Sequence, residues 1–311
     1  MHIFNTLAPV FLVIALGAVL RWKGFFSGTF AGELNRLVYW VGLPCLLFYK
    51  VATATYDFAA AGKTFGVVAA GMVACIAAGY ICALFMRTGT ANIGAFVQGG
   101  FRGNLVFVGL PVIIYSFSQS GGFNVAGMEA TAVLVLALMI PVYNILGVII
   151  LLASRHRIDR SLAGKIPGQI ITNPLVIACV AGIVYTAVFS QMPPAVSRFC
   201  GAVGQIALPL ALLSIGATLV QAKMGSEVRL AFMSSIIKVA VAPAAGLLAA
   251  TLFGLGAGET RIALILLACP TAVASYIMAD QLGAGGQLAA TIVVLSTVLS
   301  MLSLGVVVGL F

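Results

Sequence analysis

The stretches FRGNLVFVGLP (101–111) and LLACPTAVASYIMAD (266–280) decide the fold of this chain, because each interrupts an apolar run in the same way. Pro111 and Pro270 each remove one backbone donor and leave a carbonyl of the preceding turn without its partner. Hydrocarbon offers no water to such a carbonyl, so the break persists only where protein buries it or where it lines a cavity. A matched pair of broken spans, one in each half, is the sequence pattern that indicates a transporter's substrate site.

The composition is that of a polytopic membrane protein. Of the 311 residues, 62% are hydrophobic and only 7% are charged, whereas a soluble protein carries about 25% charged residues. The net charge of +9 would suggest a nucleic-acid partner in a soluble chain. Here Lys and Arg lie in short connectors and orient the protein, so we expect no nucleic acid. The first residues, MHIFNTLAPVFL (1–12), lack a charged n-region and a cleavage site, and we interpret them as part of a retained span.

Apolar runs of about 20 residues, the length that crosses a bilayer, predict ten transmembrane helices and an all-α fold. The predicted spans are residues 3–20, 34–54, 64–86, 92–118 (broken), 125–152, 170–190, 196–221, 229–253, 260–282 (broken) and 287–310. Spans 1–5 form a first half at 1–153, a cytoplasmic linker follows at 154–168, and spans 6–10 form a second half at 169–311.

The two halves resemble each other in sequence. EATAVLVLALM (129–139) follows the first broken span and LAATIVVLSTVL (288–299) follows the second, and Pro44 and Pro209 interrupt the second span of each half. Because five spans is an odd number, two such halves insert with opposite orientation, which predicts a 5+5 inverted repeat. With both termini outside, ten Lys and Arg residues lie on the cytoplasmic side and four outside, and the cluster RHRIDR (155–160) dominates this choice.

Two polar residues of the first broken span are candidates for substrate binding. Arg102 lies about ten residues into the span, and an arginine at the centre of an isolated helix costs roughly 2.5–3.5 kcal/mol to insert. Asn104 lies beside the break, where a half-helix N-terminus carries partial positive charge. Together they would suit a carboxylate. The structural alternative is that Arg102 snorkels to the interface and that Asn104 caps the broken helix.

The second half offers a further set of polar candidates. Thr271, Ser275 and Tyr276 follow the proline of the second break, and their hydroxyls either bind substrate or bond to freed carbonyls. Asp280 is a candidate proton or cation site, with an interfacial charge as the alternative. Lys238, midway along the eighth span, could pair with Asp280, neutralise substrate or stabilise the unwound region.

The remaining titratable residues indicate no catalysis. The chain has no HExxH, GxSxG, Walker or clustered Cys/His pattern, so we expect no enzyme, no metal and no cofactor. The six cysteines lie in or beside apolar runs and are interpreted as small apolar fillers. Glu129, at the start of the fifth span, is interpreted as a solvated helix N-terminus.

Five segments in a fixed order resemble the bacterial branch of the auxin efflux carrier family, which includes the plant PIN auxin exporters and bacterial malonate and malate carriers. They are FRGNLVFVGLPV (101–112), IPVYNILGV (140–148), TNPLVIACVAGIV (172–184), LPLALLSIGATL (208–219) and ACPTAVASYIMADQLG (268–283). The resemblance covers essentially the whole chain, and its most specific part is Arg-x-Asn followed by Gly-x-Pro.

The resemblance implies a fold like that of bile-acid symporters and sodium/proton antiporters. Broken helices 4 and 9 would cross at Gly109, Pro111 and Pro270. Spans 1, 2, 6 and 7 would form a scaffold that commonly dimerises, and spans 3–5 and 8–10 a transport domain that moves as an elevator. Asn104 matches the asparagine that binds the auxin carboxylate in the plant members, whereas Arg102 belongs more to the bacterial pattern. The long cytoplasmic loop of many plant members is missing from this sequence.

The sequence therefore predicts a secondary carrier of small organic anions, such as malonate or malate, in the bacterial inner membrane. The substrate would bind at the crossing of helices 4 and 9, and a homodimer is expected. Proton or sodium coupling stays open. Two alternatives remain: a sodium-coupled symporter for bile-acid-like anions, and a non-transporting membrane receptor on the same scaffold.

Overall fold

The computed structural model describes residues 2–27, 29–54, 57–118, 123–155, 172–189, 191–221 and 227–311. Within these ranges the chain is helical and forms no strand. The first half holds α1 (His2–Trp22), α2 (Phe30–Leu37), α3 (Leu43–Thr53), α4 (Phe58–Phe85), α5 (Thr90–Phe101), α6 (Leu110–Ser118) and α7 (Val125–Ser154). The second half holds α8 (Pro174–Val188), α9 (Pro194–Gln221), α10 (Val228–Ile236), α11 (Ala242–Phe253), α12 (Ala257–Ala268), α13 (Val273–Gln281) and α14 (Gly286–Gly309). Single π-helical turns lie at Val38–Gly42 (π1), Leu105–Gly109 (π2) and Ile237–Val241 (π3).

Helical segments occupy all ten predicted ranges, which confirms the all-α class. Five stretches are long and apolar enough to cross a membrane: Phe58–Phe85, Val125–Ser154, Pro194–Gln221, Val228–Phe253 and Gly286–Gly309. Shorter apolar helices lie at Thr6–Trp22, Leu105–Ser118 and Pro174–Val188. The ten-span inverted arrangement stays a prediction. Of the predicted linker at 154–168, with its basic cluster, only residues 154 and 155 lie within the described ranges.

Each π-helical turn ends two residues before a proline, namely Pro44, Pro111 or Pro243. A proline ring clashes with the carbonyl four residues earlier. A wider turn at that point relieves the clash, and single turns of this kind recur at functional sites. Pro209 differs, because α9 continues through it. The predicted interruption of the seventh span is therefore wrong; contacts with neighbouring helices and small local adjustments let a membrane helix accommodate a proline.

The first break lies earlier in the chain than predicted. The helix is interrupted at residues 102–104, and Pro111 lies in the following helix, α6. In the second half the interruption covers residues 269–272 and includes Pro270, as predicted. We call residues 102–104 and 269–272 together the paired break, because the two segments lie antiparallel to each other.

The paired break satisfies its own backbone. The amide of Asn104 donates to the carbonyl of Pro270 at 2.7 Å, and the amide of Ala272 donates to the carbonyl of Arg102 at 2.9 Å. These bonds replace the helical ones lost where both helices stop, as backbone in hydrocarbon requires. The hydrogen bonds to residues 269–272, rather than Pro111, therefore determine where the first helix is interrupted. This explains why the break lies earlier in the chain than predicted.

Gly109 lets π2 pack directly against the end of α12. A methyl group at this position would lie 3.0 Å from both Cys269 Sγ and Leu266 Cδ2. That is closer than carbon normally approaches such atoms, so the absence of a side chain brings the two broken helices together.

The helices pack in two groups. The first group contains α1, α2, α3, α8 and α9, with its most extensive contacts between α1 and α9 and between α3 and α8. The second group contains α4, α5, α7 and α10–α14. Contacts between the groups are sparser and include those of α3 with α7 and of α1 with α14. The cavity described below lies between these groups.

Candidate functional site

A cavity of about 590 Å³ lies against the paired break. One wall comes from α2, π1 and the start of α8, and the other comes from π2, the second half of α7 and α13. Most of the lining surface is apolar, from residues such as Leu105, Ile140 and Ile277. Among the described lining residues, Arg102 is the one that carries a formal charge, and none is acidic.

The cavity opens at one end of the helix bundle. Its lining residues Trp40 and Ile277 are 57% and 47% exposed, whereas Arg102 and Asn104 are 5% and 6% exposed and form its floor. The opening lies where α2 and α8 begin and where α13 ends. We call this the open end of the bundle, and the end where α3 stops and α7 begins the closed end.

Arg102 lies in the floor of the cavity and is held by neutral groups. Its Nη2 donates to Asn144 Oδ1 at 2.6 Å, and its Nη1 contacts Met278 Sδ at 3.4 Å. The amide of Gln98 is assigned the orientation that gives both of its atoms partners: its oxygen then accepts from Nη1 at 3.3 Å, and its nitrogen donates to the Ser275 carbonyl at 3.3 Å. No carboxylate in the described part of the chain pairs with Arg102. The guanidinium is therefore a buried cation that faces a cavity, rather than one that snorkels to the membrane surface.

Asn104 lies beside Arg102 and uses its backbone, not its side chain, for structure. Its carbonyl accepts from the amides of Val108 at 3.1 Å and Gly109 at 3.2 Å, so it closes the first turn of π2. Its side-chain amide makes no capping bond and lines the cavity. The amide is thus available to a ligand while the backbone holds the break.

The second-half candidates do not gather at the cavity. Thr271 Oγ1 donates to the Gly99 carbonyl at 2.7 Å, which ties the second break to α5. Ser275 is buried, and its hydroxyl has no hydrogen-bond partner in the described structure. Tyr276 lines a separate cavity of about 120 Å³ between α9, α13 and α14. None of the three lines the larger cavity.

Lys238 and Asp280 lie apart from each other and from the cavity wall. Lys238, fully buried in π3, donates to the carbonyl of Leu267 in the last turn of α12. A methyl group on Gly103 would lie 3.3 Å from its Nζ, so the ammonium lies directly behind the paired break. It supplies positive charge at a helix C-terminus, where carbonyls lack partners.

Asp280, near the end of α13, is exposed and lies close to the start of α14. No ion pair joins it to Lys238 within the described ranges.

The structure gives Arg102 polar partners that the sequence does not predict, since the sequence indicates Gln98 only as a possible sodium ligand. Asn144 and Gln98 hold the Arg102 guanidinium, and Asn173, the N-cap of α8, lines the opposite wall. The sequence alone could have identified Asn144, because it is an isolated amide in the middle of a 30-residue apolar helix. Gln98 is likewise a polar amide within the otherwise apolar second half of α5. Asn173 could have been identified from its position directly before Pro174, because an asparagine before a proline at the first helical position is a helix start signal.

The interpretation of Glu129 as a solvated charge is wrong. Its side chain is 7% exposed and forms an ion pair with Lys50 of α3. The two residues are 79 positions apart, so the pair depends on tertiary packing that the local sequence does not reveal. The described residues contain no group of three or more His, Cys, Asp or Glu side chains that could hold a metal ion.

Comparison with known proteins identifies the family of this chain. No curated protein matches the chain. The family described as membrane transport protein matches residues 2–308, which is nearly the whole sequence. Its members are transporters rather than enzymes, and the match confirms the resemblance to the auxin efflux carriers. With its several apolar helices, the chain is a multi-pass membrane protein, and it belongs to this membrane transport family, the family of the auxin efflux carriers.

Proposed function

We propose that this protein is a secondary carrier of small organic anions, and that the substrate carboxylate binds Arg102 and Asn104 in the floor of the cavity. The observation that carries the proposal is the state of Arg102, which is buried, lines a cavity of about 590 Å³ and has no carboxylate partner among the described residues.

The electrostatics of this site favour an anionic ligand. A guanidinium has five N–H donors, and the neutral oxygens of Asn144 and Gln98 accept only some of them. Neutral acceptors satisfy hydrogen bonds but leave the charge uncompensated, and a buried charge without a counter-charge is costly. A carboxylate in the cavity would supply that counter-charge through charge-assisted hydrogen bonds.

The size and lining of the cavity agree with small carboxylates as substrates. Ligand sites commonly enclose about 300–1,000 Å³, so mono- and dicarboxylates such as malonate or malate fit, with room for water. The amide of Asn104 would fix the carboxylate beside Arg102. The apolar side chains of Leu105, Ile140 and Ile277 would contact the hydrocarbon part.

The proposed cycle is alternating access of the elevator type. The first helix group would be the scaffold and the homodimer interface, and the second group, with α6, would be the moving transport domain. The position of the cavity between the groups supports this division. The ten spans would form a 5+5 inverted repeat with both termini outside the bacterial inner membrane. The open end would then face the cytoplasm.

The coupling we propose is uniport, because no acidic residue in the described part of the chain lines the cavity. A sodium site there would need several free oxygen ligands. The Gln98 oxygen is taken by Arg102, and the Thr271 hydroxyl donates to a carbonyl. Asp280, which is exposed and lies outside the cavity, is the alternative site, and it would couple transport to protons.

The proposal is tested by uptake of radiolabelled malonate, malate, lactate and indole-3-acetate into proteoliposomes, with and without sodium and pH gradients. We expect saturable carboxylate flux that is indifferent to sodium. Flux that requires sodium would favour the symporter alternative. Binding without flux, measured by isothermal titration on the same preparation, would favour a receptor. Empty liposomes give the background.

A further inference from the structure

A single ion pair within the described ranges joins the two helix groups: Lys50 of α3 to Glu129 of α7. We propose that this pair closes the cavity's inaccessible end and breaks once in each transport cycle. The inference rests on the proposed function, since it assigns a role to a contact that alternating access must change. Both residues lie near helix ends, but the Glu129 side chain is only 7% exposed, and burying a carboxylate is costly unless a cation pairs with it.

The pair lies far from the substrate site, at the closed end. Along α7, Glu129 precedes Asn144 by 15 residues, which corresponds to about 22 Å at the α-helical rise. The cavity is lined by the start of the second span, at Asn35, Tyr39 and Trp40, whereas Lys50 lies in the last turn of α3 at its other end. The pair therefore holds the bundle shut on the side opposite the opening.

The pair also crosses the boundary at which relative motion is expected. Lys50 belongs to the helix group of α1, α8 and α9, and Glu129 belongs to the other group. A displacement of one group along the other by about one helical turn, 5.4 Å, would separate the two charged groups. A contact within either group would survive such a motion.

The burial of the pair makes its separation depend on water. The Lys50 side chain is 25% exposed, but that of Glu129 is 7% exposed. A carboxylate left buried without its partner is strongly disfavoured. As long as Glu129 stays ionised, the pair can therefore break only when water reaches its carboxylate, which means that the closed end has opened. The ion pair therefore breaks when the closed end opens and forms again when that end closes.

The test uses a cysteine reporter in the cavity, and it does not depend on flux. Ala274 is exposed and lines the cavity, so Ala274→Cys can be labelled with a membrane-impermeant maleimide from either side of oriented vesicles. The parent with its six native cysteines gives the background. In the otherwise unmodified protein we expect labelling mainly from the side of the open end.

Neutralising either partner should shift the balance of labelling between the two sides. Lys50→Met and Glu129→Gln should each raise labelling from the closed end by about fivefold or more, the lower range of coupling energies between sites. The double variant Lys50→Glu, Glu129→Lys, which exchanges the two charges, should restore the original labelling pattern.

The matched control is Lys63→Met, which removes an exposed charge from the neighbouring α4 and should leave the labelling unchanged. Unchanged labelling in both single variants, each monodisperse by size-exclusion chromatography, would overturn the proposal.

A cross-link provides a second readout if a charge variant does not fold. In the Lys50→Cys, Glu129→Cys double variant, a reducible bis-methanethiosulfonate linker that spans the length of the former Lys–Glu contact should stop carboxylate flux, and a reductant should restore it. The unmodified protein treated with the same linker should keep its flux. Undiminished flux through the cross-linked variant would also overturn the proposal. Absence of flux in the unmodified protein would instead count against the carrier function, and the labelling experiment would still decide the role of the ion pair.

Discussion

Nη2 of Arg102 donates to Oδ1 of Asn144 at 2.6 Å, across 42 positions of sequence. The bond ties the paired break to the middle of α7 and fixes one edge of the guanidinium in the cavity floor. Because Asn144 is neutral, it orients the guanidinium without cancelling its charge. The pairing is thus suited to a site that must keep a cation both buried and available.

Asn144→Asp should weaken anion binding. The new carboxylate would lie within hydrogen-bond distance of the guanidinium and form a charge-assisted bond, which is roughly twice as strong as a neutral one. A substrate would have to displace it, so we expect the affinity for the transported carboxylate to fall by about tenfold or more, or at least 1.4 kcal/mol. Competition uptake in proteoliposomes measures this. Asn144→Ala removes the bond without adding charge and should cost less; an equal loss in both variants would contradict the charge argument.

Arg102→Gln should weaken dianions more than monoanions, because Coulomb attraction scales with the charge of the ligand. Its thermal stability should not fall, since the substitution removes a buried cation that lacks a carboxylate partner among the described residues. Inhibition constants for malonate and lactate measure the loss of affinity for a dianion and a monoanion, and a melting curve on the same sample measures the thermal stability. Arg198→Gln, at an exposed position outside the cavity, is the matched control. Equal loss for the two ligand classes would indicate that Arg102 is structural.

Asn104→Ala should abolish substrate binding and leave folding intact. The bonds of Asn104 to Pro270, Val108 and Gly109 come from its backbone, and alanine retains all of them. The side-chain amide alone is lost from the cavity. Isothermal titration of the purified protein measures the affinity, and size-exclusion chromatography verifies the fold. An unchanged affinity would show that this amide does not contact the substrate.

Thr271→Val should lower stability and leave affinity unchanged. The hydroxyl of Thr271 donates to the buried Gly99 carbonyl at 2.7 Å, and valine of similar shape leaves that acceptor unpaired. The expected cost is about 1–3 kcal/mol, measured as a lower melting temperature in detergent. Thr271→Ser retains the hydroxyl and should lie close to the unmodified protein. If Thr271→Val binds substrate more weakly but is as stable as the unmodified protein, the Thr271 hydroxyl contacts the substrate after all.

The sequence predicts those features that local patterns determine. Apolar runs predict the all-helical class, and the polar pair Arg102 and Asn104 is recognisable because both interrupt such a run. Pro111 illustrates the limit. A proline shows that a helix is disturbed, but the position of the break depends on where the second segment supplies hydrogen bonds. That information belongs to the packed structure and not to either segment alone.

Long-range partners are the second limit of the sequence. Asn144 and Glu129 take their roles from Arg102 and Lys50, which are 42 and 79 positions away. Tyr276 shows the reverse effect, since it follows the second break closely in sequence but faces a different cavity. Helical rotation places successive side chains on different faces, so nearness to a break in sequence does not predict contact with the site.

Gly216→Ala should separate α1 from α9 and destabilise the first helix group. A methyl group on Gly216 would overlap the backbone carbonyl oxygen of Ile14, and backbone cannot move aside as a side chain can. Small residues at such contacts allow membrane helices to approach closely, and overpacking costs about 1–3 kcal/mol. We therefore expect the melting temperature in detergent to fall by several degrees.

The same helix offers a matched control for this prediction. Gly201, also within α9, has no atom within 4 Å of an added methyl group. Gly201→Ala should therefore be neutral or stabilising, by up to about 1 kcal/mol, because alanine loses less conformational freedom than glycine in a helix. Opposite shifts of the two melting temperatures would locate the effect in the contact between α1 and α9. Equal shifts would mean that glycine at position 216 acts through helix propensity alone and that the close approach is not required.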